Sequence, residues 1–131
     1  KQLFSDIHAY VMGDFDKGIF VISGKVNDGV SIDAAEAGID AEIAKLQNEL
    51  VAADELQKCK NKIESTVTYS EMDVLNKATN LAISELLGDA NLINKEIENY
   101  QKVTAEQIKE QANKILQKTN CSTLFYLKKN K

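Results

Sequence analysis

His8 is the only histidine in this chain of 131 residues, and it limits the metal chemistry open to it. A catalytic zinc keeps three protein ligands, drawn from His, Cys and carboxylates. One His on an alternating, strand-like run reads as a structural or surface residue. No H-E-x-x-H or H-x-x-E-H occurs, so neither order of zinc-peptidase motif can be built from these residues. Cys59 and Cys121 lack C-x-x-C spacing and read as small buried hydrophobes. A disulfide between them would need Cα atoms within about 7 Å. Asp14-Phe15-Asp16-Lys17-Gly18 sets two carboxylates in a tight loop. A calcium loop needs a longer ligand series and a distal Glu, so a solvated turn is expected. Gly24-Lys25 has neither the upstream glycine nor the following Ser/Thr of a phosphate loop. Ser5, Ser23 and Ser84 have no nearby base and no nucleophile-elbow glycines. Asp40 with Glu42, and Glu96 with Glu98, fall on predicted helices where such near neighbours point apart, so a solvated face is expected. Asn120-Cys121-Ser122 fits the glycosylation pattern, a match short enough to arise by chance. No catalytic, cofactor-binding or metal-ligating residue is assigned, and no cofactor is expected in this chain.

The elements that would position these residues fall into three regions. Ile7, Ala9 and Val11 alternate with His8, Tyr10 and Met12, and Gly/Asp residues separate them from Ile19-Phe20-Val21-Ile22-Ser23-Gly24-Lys25-Val26. Two β-rich runs around such a cluster predict a hairpin. The second run is apolar on both faces, as a central strand would be. A charge at Ile19 or Ile22 should therefore prevent folding. From Ser31 to Lys118 the periodicity is helical. Asp33 with Glu36 opens a first helix with the stripe Ile39, Ile43, Leu46, Leu50. Asp54 with Gln57 opens a second, carrying Leu56, Cys59, Ile63 and Val67. Thr66-Val67-Thr68 weakens helix propensity and places a break near Tyr69. Ser70 with Asp73 restarts a helix with Leu75, Ala78, Ala82 and Leu86, and Gly88 stops it. A short helix with Ile93, Ile97 and Tyr100 follows. Thr104 with Gln107 then has the spacing of a capping box, ahead of Ile108, Ala112, Ile115 and Leu116. Ser122-Thr123-Leu124-Phe125-Tyr126-Leu127 predicts a returning strand before a polar tail.

The expected class is α+β: a small antiparallel sheet, made of the N-terminal hairpin and the C-terminal strand, covered on one face by several helices. Three strands are a thin platform for so many helices, which points to a larger sheet of which this is part. The length is that of one domain or part of one. The hydrophobic fraction of 44% and charged fraction of 27% are ordinary for a soluble globular protein. With 16 basic and 20 acidic residues, net charge −4, a nucleic-acid partner is not expected. At 6%, the aromatic residues give no stacking platform either. No apolar run approaches the ~18 residues of a membrane helix, so no membrane partner is expected. The chain opens at Lys1 without Met, as an expressed or processed piece would.

Taken in order, His8-Ala9-Tyr10, Gly18-Ile19-Phe20-Val21-Ile22, the helical stretch from Asp33, Val103-Thr104-Ala105-Glu106-Gln107-Ile108 and the last strand resemble one family. The whole chain, 1–131, is similar to the C-terminal portion of a domain from the pitrilysin/insulinase family of zinc metallopeptidases. The resemblance implies paired domains of like fold that close around a peptide chamber. It implies zinc in the parent protein, on an H-x-x-E-H motif of an N-terminal domain, and a later zinc-free domain that contributes to substrate binding. That contribution often comes through an Arg and a Tyr near the stretch where this chain starts. Phe4-Ser5 stand where the Tyr is expected: the pair is lost here, or the register differs by one residue.

The first reading is thus a non-catalytic portion of a zinc metalloendopeptidase homologue. It would be inactive alone, with a homologous catalytic domain or subunit as partner and peptide as the parent's substrate. The alternatives are a non-enzymatic relative, like the core subunits of the respiratory bc1 complex, and a free-standing α+β protein-interaction domain. Under any of these, an open strand edge would favour self-association.

Overall fold

The computed structural model describes residues 2–13 and 17–127. The carboxylates of the acidic turn, Asp14 and Asp16, lie outside the described residues, as do the last four of the polar tail. Strand β1, Phe4–Met12, pairs antiparallel with β2, Ile19–Val26. Their register sets Met12 against Ile19 and Ala9 against Ile22. An irregularity between Phe4 and Asp6 bulges β1, and the Ser5 hydroxyl there donates to the Lys25 carbonyl at 3.1 Å.

Five helices follow: α1 Ile32–Asn48, α2 Ala53–Ser70, α3 Val74–Leu86, α4 Leu92–Gln101 and α5 Ala105–Ile115. Their boundaries come from local chemistry. The Ser31 hydroxyl accepts from the Ala34 amide at 3.2 Å, so α1 starts two residues before the expected Asp33. Asp33 sits in the first turn, where a carboxylate suits the positive end of the dipole. Helix α2 has no side-chain cap at Ala52; Asp54 and Glu55 lie in its first turn. Its end is as predicted: the Ser65, Thr66, Thr68 and Ser70 hydroxyls all donate back to carbonyls of the preceding turn. Such back-bonding competes with the helix's own ladder. Asp73, not Ser70, caps α3 by accepting from the Asn76 amide at 2.9 Å. Gly88 follows α3 at φ +105, a left-handed conformation that favours glycine. The predicted box at α5 is complete. Thr104 accepts from the Gln107 amide at 3.3 Å, and the Gln107 side chain accepts from the Thr104 amide at 2.9 Å.

Among the helices, packing is strongest between α1 and α5, and between α4 and both α2 and α3. The hairpin meets the helical layer at its base. A Cβ added to Gly38 would lie 2.5 Å from Leu3 Cδ1, so a larger residue there would displace the Leu3 side chain. Among the apolar described residues only Ala35 (3% exposed) and Ala112 (5%) are fully buried. The accessible surface is 10868 Å². A compact monomer of this mass exposes about 6,900 Å².

The architecture is the expected α+β one. The sheet, however, has two strands among the described residues, because residues 122–127 take no partner. Leu124 and Tyr126 are 93% and 99% exposed. β2 is consequently not central: Val21 and Ile22 are half-buried while Ile19 is 66% exposed.

Candidate functional site

The hairpin surface carries the densest chemistry. His8 Nε2 lies 2.9 Å from Asp6 Oδ2, both side chains exposed. Two-residue spacing puts them on one face of β1. The register sets Ser23 directly opposite His8. Ser23 therefore does have a histidine across the ladder, a pairing legible only once the hairpin register is counted from the turn. It is not a catalytic triad. His8 uses Nε2 for the carboxylate, whereas a triad needs Nε2 on the serine and the carboxylate on Nδ1. The open face also leaves any developing charge in water, where aligned dipoles are worth little.

The same pair fails as a zinc site. Asp6 and His8 offer two donors, and among the described residues no group of three His, Cys, Asp or Glu converges. The residues present therefore do not fit the zinc that the family resemblance implies for the parent. Both cysteines are free and exposed, contrary to the buried reading. On α2 the inward spacing is Leu56, Lys60, Ile63 and Val67, which turns Cys59 outward. Cys121 precedes the unpartnered C-terminal segment, its Sγ 3.9 Å from Thr123 Oγ1.

The helix junctions hold the polar pairings that sequence reasoning missed. Lys109 Nζ donates to the Asn48 carbonyl at 2.8 Å, placing a cation on the negative end of α1. The Asn113 amide donates to the Gln47 carbonyl at 2.8 Å, and the Gln47 amide to the Leu116 carbonyl at 2.8 Å. Lys118 Nζ lies 2.7 Å from Asp40 and 3.4 Å from Glu36, and the Asp40 hydrogen bond holds its pKa above the ordinary lysine value. At the other junction Lys60 donates to the Gln101 carbonyl at 2.7 Å, and the Gln101 amide to Glu64 at 2.9 Å. These ties fasten helices and do no chemistry.

Helix α3 is turned opposite to its pattern. Asn80 and Ser84 face inward, and Leu75, Ala78, Ala82 and Leu86 are exposed. Ala78, Thr79, Ala82, Ile83 and Leu86 line a shallow apolar groove. The periodicity of α3 was read correctly as helical, but it marks a face without a partner in this structure. What the geometry offers is a set of uncovered surfaces: the hairpin edges, the α3 stripe and residues 122–127.

Comparison with known proteins places this fold. No family model matches the chain, and no curated protein matches it in sequence. Solved structures do. The inactive peptidase domain of a protein from Bordetella parapertussis, described as a zinc protease, superposes with TM-score 0.82 at 16% identity. The match covers 99% of this chain and 71% of that one. A protease from Helicobacter pylori gives 0.81 at 18% identity, covering 91% of this chain and 29% of that one. A protein from Bordetella pertussis Tohama I, also described as a zinc protease, gives 0.77 at 18% identity, covering 91% and 66%. This chain thus has a fold found in peptidase domains, and it spans only part of each of these three chains.

Proposed function

We propose that the chain is a non-catalytic portion of a zinc metallopeptidase of the pitrilysin/insulinase type. In this reading it belongs to a zinc-free domain and forms one wall of a peptide chamber. A homologous catalytic domain or subunit holds the metal and cleaves the peptide. The observation that carries the reading is the likeness to an inactive peptidase domain over 99% of the chain. Two others support it: the order of the hairpin, Thr104 box and final apolar run, and an uncovered surface larger than a self-sufficient domain leaves. The role of this portion is structural. The α1–α5 and α2–α4 ties hold a helical layer beside the hairpin, and the unsatisfied faces receive the rest of the domain.

Chemical cross-linking of the native protein in its source cells, with mass-spectrometric identification of the linked polypeptide, tests this. A linked domain of the same fold carrying H-x-x-E-H supports the reading. Linked domains of that fold without the motif would move the assignment to a non-enzymatic relative. Zinc is a separate check. After dialysis the purified chain should hold far less than one zinc per molecule, and a tightly held equivalent would contradict the two-donor geometry at Asp6 and His8.

A further inference from the structure

We infer that Asp28-Gly29, in the turn from the hairpin into α1, is a site of spontaneous isomerisation, where the backbone cyclises to a succinimide and reopens as isoaspartate. Asp-Gly occurs once in the chain, and Asn-Gly does not occur. Ring closure is an attack by the next residue's backbone nitrogen on the aspartate Cγ. A side chain on that next residue obstructs the attack, and a hydrogen bond on either reacting group holds it back.

The turn leaves both groups open. Asp28 and Gly29 are exposed. The Val30 amide donates to the Asn27 carbonyl at 3.2 Å and closes the turn 27–30. Gly29 has φ +82, and no non-glycine described residue has a positive φ, which is the pattern of a type II turn. The Gly29 amide donates to no described group, and the Asp28 carboxylate takes no hydrogen bond or ion pair among the described residues. Closure requires the Asp28–Gly29 peptide to rotate toward the side chain. Nothing lies within 4 Å of where a Gly29 Cβ would sit, so that rotation meets no neighbour. Other turn aspartates are held. Asp73 accepts from the Asn76 amide and Asp89 from the Asn91 amide, and Val74 and Ala90 follow them.

The step balances with water alone. The Gly29 nitrogen bonds to Asp28 Cγ, and its proton leaves with the carboxyl hydroxyl as water. Water then returns to one ring carbonyl. Cleavage of the new bond to Cγ restores aspartate. Cleavage of the old bond to the main-chain carbonyl carbon leaves the chain running through Cβ, one carbon longer. The turn matters because the Asn27 amide donates to the Leu3 carbonyl at 3.0 Å, the Asn27 side chain donates to the Gln2 carbonyl at 2.8 Å, and Ser31 caps α1. A longer link between Asn27 and Val30 breaks their hydrogen bond and unties the base of the hairpin from the start of α1. This chemistry does not rest on the peptidase reading.

The test ages the intact folded chain at neutral pH. Isoaspartate is read by methyl transfer from labelled S-adenosylmethionine with an isoaspartate methyltransferase, and placed by peptide mass spectrometry. Label should accumulate with time in the peptide holding residue 28 and in no other. Asp28→Glu, at an exposed position, should lose it, because the longer side chain closes a six-membered ring far more slowly. Asp28→Asn should gain it faster, since the neutral amide expels ammonia through the same ring. In aged Asp28→Asn the Val30 amide should lose protection from hydrogen exchange. An unlabelled chain, label rising first in another peptide, label undiminished in Asp28→Glu, or no acceleration in Asp28→Asn overturns the site. Unchanged protection at Val30 in isomerised material overturns its effect on the turn.

Discussion

Helices α1 and α5 stand on different footing from the hairpin and α3. The α1–α5 pair buries Ala112 and fastens its ends through Lys109, Asn113, Gln47 and Lys118. Each cation or amide there meets a carbonyl or carboxylate of the other element, so the pair is closed in both apolar and polar terms. The hairpin closes its backbone along one edge only, and α3 turns its apolar stripe to water. Amphipathic pattern alone therefore does not say that a face is buried in the chain at hand. It says that the face needs a cover.

The widest separation between the two regions should come from a charge. Ala112→Asp places a carboxylate where 5% of the residue is exposed and no cation is paired to it. An unpaired buried charge costs several kcal/mol, enough to unfold a marginal fold. Leu75→Asp, at a position 74% exposed, should shift stability by no more than about 0.5 kcal/mol. Urea melts followed by circular dichroism compare the two. Equal losses would mean that α3 is covered in solution.

The hairpin sharpens the same contrast within a single strand. Ile22 is half-buried and pairs with Ala9, whereas Ile19 is exposed and pairs with Met12 at the turn end. Ile22→Asp should cost about 2 kcal/mol. Ile19→Asp should cost less than about 1 kcal/mol, the worth of a cross-strand pair. This corrects the expectation that either charge prevents folding. Reversal of the order in denaturant midpoints would show that the turn end of β2 is the covered end.

Local chemistry was the legible part of this chain, and burial was not. Thr104 and Gln107 announce their box because both partners lie within four residues. The end of α2 at Ser70, close to the break expected near Tyr69, and the stop at Gly88 are likewise decided by neighbours in sequence. Burial depends on which surfaces meet. Cys59 and the Leu75 stripe have a real helical periodicity, but among the described residues no element covers them. The single histidine was plain from composition. The Asp6, His8 and Ser23 juxtaposition was not, because it depends on a register twenty residues long.

Capping gives a smaller, cleaner step. Thr104→Ala removes the side-chain acceptor of the α5 box, leaving the bond from the residue-104 backbone amide to Gln107, and should cost about 1 kcal/mol. Ala52→Ser, by contrast, offers a cap to α2, which has no side-chain cap bond. It should gain up to about 1 kcal/mol if the serine adopts cap geometry. Thermal melts of the two variants would bracket the intact chain. A silent Thr104→Ala would mean that α5 frays at its start and that the α1–α5 junction is held from its far end alone.

The smallest effect is electrostatic and lies in the helical layer. Three carboxylates sit below their ordinary pKa. The Asn91 backbone amide and then Lys95 stabilise ionised Asp89. Lys102 does so for Glu98 at 2.6 Å. The first-turn backbone amide and the Thr104 hydroxyl do so for Glu106. A folded-state pKa below the unfolded value contributes stability that is present above the unfolded value and lost as pH falls through the folded one. Lys45 and Lys118 are raised, by Glu42 and Asp40 respectively, so their contribution is present below the ordinary lysine value and lost as pH climbs past it. Stability should therefore be flat between about pH 5 and pH 10 and decline at both ends. All five groups are exposed to solvent, so the declines should be shallow and should flatten further in 0.5 M salt. Melting temperatures from pH 3 to pH 11 at two salt concentrations would check this. Of the five, only Lys118 ties α1 to the chain beyond α5. Lys118→Met should therefore blunt the alkaline decline, and an unchanged profile would mean that the α1–α5 pair is fastened by Lys109 and Asn113 without it.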